Sequence, residues 1–314
     1  MSRVSRLLFA ALAVAVVAPP ALAEAHKVGL LLKGRTPFWY AIEQGAVAAA
    51  TQQGVELIVK YPPTESDVGI QIQLLNALAA QKVECIILAP TNAESLAHPA
   101  AALAVTGIKF VVIDSPLNGK TASVFIGTDH EAAGTAAGHL LASLVGDNAA
   151  VSILRHAQGN LVTTGREESA IAALKADRPS STVFSDVYLG NVKEEQTARA
   201  EVMLSRHPEV KAVLASSTPG TMVLHELLAK SPHPGAIKLV GFGYNLSEAA
   251  ATGLTKGTLQ GWIAQLPGEM GRVAVESAVA LLDGKAVPPV IRTRFEVITP
   301  ANFKESRIQA LKMP

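Results

Sequence analysis

Uninterrupted apolar runs, rather than in–out alternation, set the rhythm of this chain. VGLLL (28–32), VELIVKY (55–61), CIILAP (85–90), KFVVID (109–114) and VFIG (124–127) form a first series. VSILR (151–155), VFSDVYLG (183–190), AVLASS (212–217), IKLVGF (237–242), LQGWIAQ (259–265) and FEVIT (295–299) form a second. Runs of this kind suit strands that are covered on both faces. Ala-rich stretches at helical spacing separate them, so the pattern predicts βαβ units and parallel sheets. One compact sheet cannot hold so many strands; two similar α/β lobes can. No low-complexity segment and no long Gly/Ser or Pro linker divides them. Short crossovers between the lobes are expected near 127–129, 264–267 and 293–296.

One stretch departs from this plain pattern. KGRTPFWYAIEQG (33–45) sets Phe38, Trp39 and Tyr40 side by side in a chain that is only 4% aromatic. Thr36 suits an N-cap and Pro37 the first helical position, where its missing N–H costs little. Gly54 can end the helix after Gln53. Phe38, Ile42, Gly45 and Ala49 share one face, which is expected to pack on the sheet, with Trp39 about 100° further round. The trio thus stands beyond the carboxyl end of the first strand, where open α/β sheets bind ligands. Either both rings are core, or at least one forms a flat apolar wall for a small ligand.

The first residues read as a leader. MSRVSRLLFAALAVAVVAPPALAEA has Arg3 and Arg6, an apolar stretch over 7–18 and the small-residue site Ala21-Leu22-Ala23. That is the pattern of a secretory signal peptide, with an uncleaved anchor as the alternative. The apolar stretch is too short for a membrane span. The mature chain is expected to start near Glu24, to carry no lipid anchor, and to be soluble in a bacterial periplasm. About 290 residues then remain, enough for two domains of ordinary size. A net charge of +1 gives no general pull on nucleic acid or membrane. The single cysteine, Cys85, lies inside VECIILAP and reads as a core thiol.

Polar side chains stand at nearly every predicted strand end. They include Asp114 and Ser115, Asp129 and His130, Arg166 in TTGREESA, Asn191, Ser217, Asn245 and Gln265. Each alone is as well read as a cap or a turn. Converging on one cleft, they suit a small ligand rich in hydroxyls, with Asp114 and Arg166 making charge-assisted bonds. Catalytic patterns are weak. NGKT at 118–121 lacks the upstream glycine of a phosphate loop, because Asp114 stands there. No HExxH, CxxC or GxSxG occurs, and the eight histidines have no metal-ligand spacing. His130 and His139 read as solvated or core, and His26 as disordered. Neither a catalytic role, a metal nor a cofactor is expected.

KVGLLLKGRTPFW, ECIILAPTNAESL, GIKFVVIDSPLN, FIGTDHEAAG, TTGREESA, VKAVLASSTPG, IKLVGFGYN and LQGWIAQLPGEMG together resemble the periplasmic sugar-binding proteins of ABC importers, in the branch that holds ribose-binding protein. The likeness spans roughly 26–300, and IAQLP followed by a helix is its most specific element. It implies a type I periplasmic binding protein: two doubly wound parallel-sheet α/β lobes joined by a three-strand hinge. The first lobe is expected at 24–128 plus 266–293, the second at 129–265 plus 294–314. The resemblance implies that Lys33, Phe38 and Trp39 line the first lobe's side. Thr36 stands where the ribose binder has a ligand asparagine, and Asp114 matches the ligand aspartate. Arg166 matches the arginine opening a helix in the second lobe, Ser217 replaces an asparagine, and Gln265 matches the glutamine beside the hinge. Two departures stand out. Ser115 replaces an arginine, and Gly243 replaces a ligand aspartate, for which Asn245 is a substitute. The implied ligand is a sugar or sugar derivative other than ribose, either acidic or phosphorylated, or else a neutral sugar or polyol. The implied partner is an importer permease or, as the alternative, a sensor kinase or chemoreceptor ectodomain. The protein is expected to act as a monomer.

Overall fold

The computed structural model describes residues 25–312; the expected leader, 1–23, lies outside the described residues. Among the described residues twelve strands run β1 (Lys27–Leu31), β2 (Glu56–Lys60), β3 (Cys85–Leu88), β4 (Lys109–Ile113), β5 (Val124–Thr128), β6 (Ala150–Leu154), β7 (Thr182–Phe184), β8 (Val210–Ala215), β9 (Lys238–Tyr244), β10 (Gly261–Gln265), β11 (Val290–Thr293) and β12 (Phe295–Ile298). Between them lie α1 (Pro37–Gln53), α2 (Val68–Ala80), α3 (Ala97–Ala104), α4 (His130–Leu144), α5 (Leu161–Asp177), α6 (Lys193–Arg206), α7 (Thr218–Ala229), α8 (Glu248–Lys256) and α9 (Pro267–Leu282), with a short α10 (Ser306–Gln309) at the end. One sheet has the order β11-β5-β4-β3-β1-β2, the other β12-β10-β9-β8-β6-β7. Every strand pair is parallel except β10–β12.

The sheets explain the apolar runs. Along β1, Leu30 packs with Ile42, Ala46, Met270 and Ala274 of α1 and α9, whereas Leu31 packs with Leu75 and Leu78 of α2. Successive side chains leave a strand on opposite faces, so a strand covered on both sides is apolar at every position. In the second sheet, Ile153 and Phe242 meet α4 and α5, while Leu154 and Val213 face the layer of α6, α7 and α8. Cys85 is buried as expected, and burial pushes its thiol up to about 12.

The chain passes between the sheets three times, at β5 to α4, at β10 to α9 and at β11 to β12. The second passage brings α9 back onto the first sheet against α1. There the two helix backbones touch: a Cβ on Gly271 would lie 2.0 Å from the Ile42 carbonyl oxygen, and one on Gly45 would lie 2.0 Å from that of Gly268. Gly271→Ala is expected to force the helices apart at a cost of about 1–3 kcal/mol. Thermal unfolding should register this as a drop of several degrees.

Four expectations change. The strand β11 is additional: Pro288 and Pro289 precede it, Arg292 interrupts it, and its edge position leaves it largely exposed. VFSDVYLG contributes only Val183 and Phe184 to β7; Arg155 Nε bonds the Ser185 carbonyl where the strand ends, and the chain returns only for an isolated bridge of Tyr188 with Arg155. The buried face of α1 is rotated from the expected one. Trp39, 3% exposed, packs with Ile42, Ala46 and Ala49, while Gly45 meets α9. His26 is ordered, its imidazole 3.1 Å from Glu84 and 3.3 Å from Asp283.

Candidate functional site

The carboxyl ends of strands from both sheets face one gap. On the first sheet's side, Lys33 follows β1, and Asp114 and Ser115 follow β4. Lys33 Nζ stands 2.9 Å from Asp114 Oδ2 and 2.6 Å from Ser115 Oγ, and the serine hydroxyl donates to the same carboxylate oxygen at 2.8 Å. Lys33 therefore supplies, from another strand, a cation beside the position where the resemblance places an arginine. Burial alone would raise the Asp114 pKa, but the Lys33 ammonium and the Ser115 hydroxyl outweigh it and hold the carboxyl below its usual range. Asp114 has φ of 64°, a left-handed conformation that aspartate tolerates better than most residues. Trp39 backs this group. Its ring centroid is 5.4 Å from Lys33 Nζ, and its Nε1 donates to Glu65 Oε1 at 2.7 Å.

The second sheet's side is built around Arg166, only 4% exposed, in the second turn of α5. Nη1 donates to the Ser216 carbonyl at 3.0 Å, and Nε and Nη2 both point at His130 Nδ1 at 3.3 Å. The guanidinium lies 4.8 Å over the Phe242 ring. Burial lowers its pKa to about 10, so it stays charged at neutral pH. His130 opens α4. Burial, followed by the Arg166 charge, pushes its pKa down to about 3. A neutral imidazole accepting at Nδ1 carries its proton on Nε2, a tautomer assigned from these bonds. Beneath them Glu167 is fully buried and held by Arg155 at 3.2 Å, Ser216 Oγ at 2.6 Å and the His156 N–H at 3.1 Å.

Contacts beside the gap join the sides. Thr128 Oγ1, ending β5, donates to Gln265 Oε1, ending β10, at 3.2 Å. The Phe38 ring meets Tyr244 edge-on at 5.3 Å and Trp39 at 4.9 Å. A cavity of about 200 Å³ opens at the margin of the gap, lined by Asp114, Phe125 and Arg292 from one side and His130, Val162 and Gly165 from the other.

The gap gathers Lys33, Phe38, Asp114, Ser115, Arg166 and Gln265. Ser217 adjoins them, buried next to Ser216, but its Oγ caps α7 by accepting from the Gly220 N–H. Trp39 lies behind Lys33 instead of walling the gap. Three expected residues stand apart. Thr36 precedes α1 at the cap position but is exposed and makes no side-chain cap bond. Asn191 is exposed on the loop before α6. Asn245 lines a different cavity, of about 830 Å³, with Arg35, Tyr40 and Lys312, because its backbone is tied into the turn after β9: its N–H donates to Gln265 and its carbonyl accepts from Trp262. His130, noted at a strand end but also read as solvated or core, and Tyr244 both join the gap. Their signal is present in FIGTDH and GFGYN, where each follows directly on a strand end or finishes one. Among the described residues, no group of three or more His, Cys, Asp or Glu side chains could hold a metal ion, and no helix is long and apolar enough to cross a membrane.

A family model described as "Periplasmic binding protein domain" matches residues 28–286. The D-allose-binding periplasmic protein of Escherichia coli K12 is 25% identical over 278 residues, covering 85% of this chain and 88% of that one. The ribose import binding protein RbsB of Bacillus subtilis is 24% identical, covering 84% and 83%. Among solved structures, an ABC transporter solute-binding protein from Agrobacterium vitis bound with alpha-D-tagatopyranose superposes with a TM-score of 0.80 at 24% identity, covering 92% of this chain and 99% of that one. The periplasmic component of an ABC-type sugar transport system from Hahella chejuensis gives 0.76 at 26% identity, covering 87% and 99%.

Proposed function

Since the chain belongs to the periplasmic binding protein family, we propose that it captures a monosaccharide or monosaccharide derivative between its lobes and hands it to the permease of an ABC importer. The observation that carries this reading is the facing pair of polar groups. Lys33, Asp114 and Ser115 lie on one side, Arg166 with His130 on the other, and Phe38 and Tyr244 bring their rings together beside them. Charged donors and acceptors with an aromatic edge are what a polyhydroxylated ring needs, its hydroxyls engaged at the rim and its C–H face on a flat apolar surface. The relatives are named for binding allose or importing ribose, which favours an importer over a sensor as partner. Nothing in this reading calls for an enzymatic step or a cofactor.

We assign the lobes to 24–128 plus 266–293 and to 129–265 plus 294–314, so that the three passages between sheets form the hinge. The Thr128–Gln265 bond lies across two of those passages. Sugar bound by both lobes favours the closed arrangement, because contacts to the second lobe exist only there. The closed pair of lobe surfaces is the signal the permease reads. With its leader removed near Glu24, the protein works as a monomer in the periplasm.

The test is calorimetric titration and thermal shift of the chain from Glu24 against D-allose, D-ribose, D-tagatose, D-arabinose and their acid derivatives. A bound member raises the unfolding temperature. Asp114→Asn keeps the left-handed backbone accessible and removes only the charge. It is expected to weaken binding by roughly tenfold to a hundredfold while unfolding stays within a few degrees of wild type. If no sugar or sugar acid binds, this function is lost.

A further inference from the structure

Arg166 lacks a carboxylate partner. It is nine-tenths buried, yet its acceptors are the Ser216 carbonyl and the neutral His130 ring. These bonds use one N–H on each nitrogen and leave one more on Nη1 and one on Nη2. The buried and half-buried carboxylates near it are otherwise engaged. Asp114 is held by Lys33 and Ser115, Glu167 by Arg155, Ser216 and the His156 N–H, and Asp129 by the Ala132 N–H in the first turn of α4. Among the described residues Arg166 forms no ion pair, in contrast to Lys33 and Arg155. A buried guanidinium held only by neutral acceptors is costly, and the cost falls when an anion arrives.

The charge balance says which anion. Lys33 pairs with Asp114 and Arg155 with Glu167, while the half-buried Asp129 accepts from the first turn of α4, so Arg166 is the one of these cations with no carboxylate in contact. A single carboxylate pairs with it one to one; a phosphate dianion would bring a second negative charge toward Asp114 and Asp129, which line the same cavity. The two spare N–H groups suit an oxyanion. We infer that the preferred ligand is a monosaccharide carrying one carboxylate, an aldonic or uronic acid, with its carboxylate on Arg166 and its hydroxyls toward Asp114 and Lys33. This inference rests on the interlobe sugar site proposed above.

The experiment compares each acid with its neutral parent on the wild-type chain: D-galacturonate with D-galactose, D-gluconate with D-glucose, D-ribonate with D-ribose, and D-ribose 5-phosphate as the dianion. At least one acid is expected to bind roughly tenfold to a hundredfold more tightly than its parent, and more tightly than the phosphate. Arg166→Gln should weaken the acid more than its neutral parent, so that the preference is lost even though both bind less well. A neutral sugar that binds as well as or better than every acid overturns the inference and leaves the sugar-binding function standing. Tighter binding of the phosphate overturns the choice of a monoanion. Silence from every compound removes both readings. The wild-type comparison decides even if the Arg166 variant fails to fold.

Discussion

Replacing Gly243 with aspartate is expected to lower the unfolding temperature by about 10 °C, although the family resemblance places a ligand aspartate at that position. Gly243 lies in β9 beside β10, and a Cβ there would fall 1.8 Å from Trp262 Cζ2 and 2.1 Å from Cη2. The indole has no room to yield. It is 1% exposed, packs with Leu246, Leu259 and Ile298, and donates from Nε1 to the Asn245 carbonyl at 2.7 Å. Overfilling a packed core costs about 1–3 kcal/mol, and burying a carboxylate without a partner adds a comparable amount. A total near 4 kcal/mol corresponds to about 10 °C for lobes of this size. Scanning calorimetry reads it directly. Gly243→Asp combined with Trp262→Leu should regain part of the loss, because the benzo ring that fills the space is gone. A Gly243→Asp chain that melts like wild type would show that the indole does not dictate the glycine.

Gly243 also shows where sequence reading stops. Along the chain it reads as a ligand group lost after GF. In space it is a vacancy required by a ring on the next strand, and the register that sets Gly243 opposite Ala264, with Trp262 two positions back, is invisible in one dimension. The strands covered on both faces are legible, because their apolar runs are local. So is the parallel, two-lobed arrangement. The edge strand β11 is not, since an exposed edge next to two prolines carries no apolar run. The same contrast holds in the gap. Asp114 stands directly at a strand end and Arg166 within the first two turns of α5, where position alone announces them. The partnership of Lys33 with Ser115 and that of His130 with Arg166 join residues 82 and 36 positions apart, and only folding reveals them. Trp39 is misplaced when its face of α1 is judged against the sheet alone, because the helix packs on α9 as well, which widens its buried stripe. Asn245 looks like a substitute ligand group because it follows Gly243 closely, but a φ of 46° turns the chain there toward another cavity.

His130 is expected to withdraw about 1.4 kcal/mol of stability for each pH unit below 6.5, and His130→Asn should remove that part of the slope. The sign follows from the site. Folded His130 has a pKa of about 3, against about 6.5 when unfolded. As the pH falls below 6.5, the unfolded chain takes up the proton and the folded chain does not. The stability present above pH 6.5 is therefore lost progressively toward pH 3. Between pH 6.5 and 4.5 the loss is about 2.3 kcal/mol. The groups facing His130 all bear on it: the Arg166 and Arg292 charges oppose protonation, Asp114 favours it, and burial outweighs the aspartate. His156 and His225 are lowered by burial too and add to the slope in the same direction. His26 is raised by its bond to Glu84, so its contribution is lost only as the pH climbs above 6.5. Asp114, held low by Lys33, adds its own loss only below the ordinary carboxylate range near 4, outside this window. The amide introduced by His130→Asn would present its oxygen near the place of Nδ1 and keep an acceptor for Arg166 without titrating. Denaturant unfolding at pH 6.5, 5.5 and 4.5 separates the effects. A His130→Asn chain that keeps the full wild-type slope would mean that His130 takes up its proton in the folded state, which its bond to the Arg166 guanidinium forbids, because an imidazolium has no lone pair left to accept it.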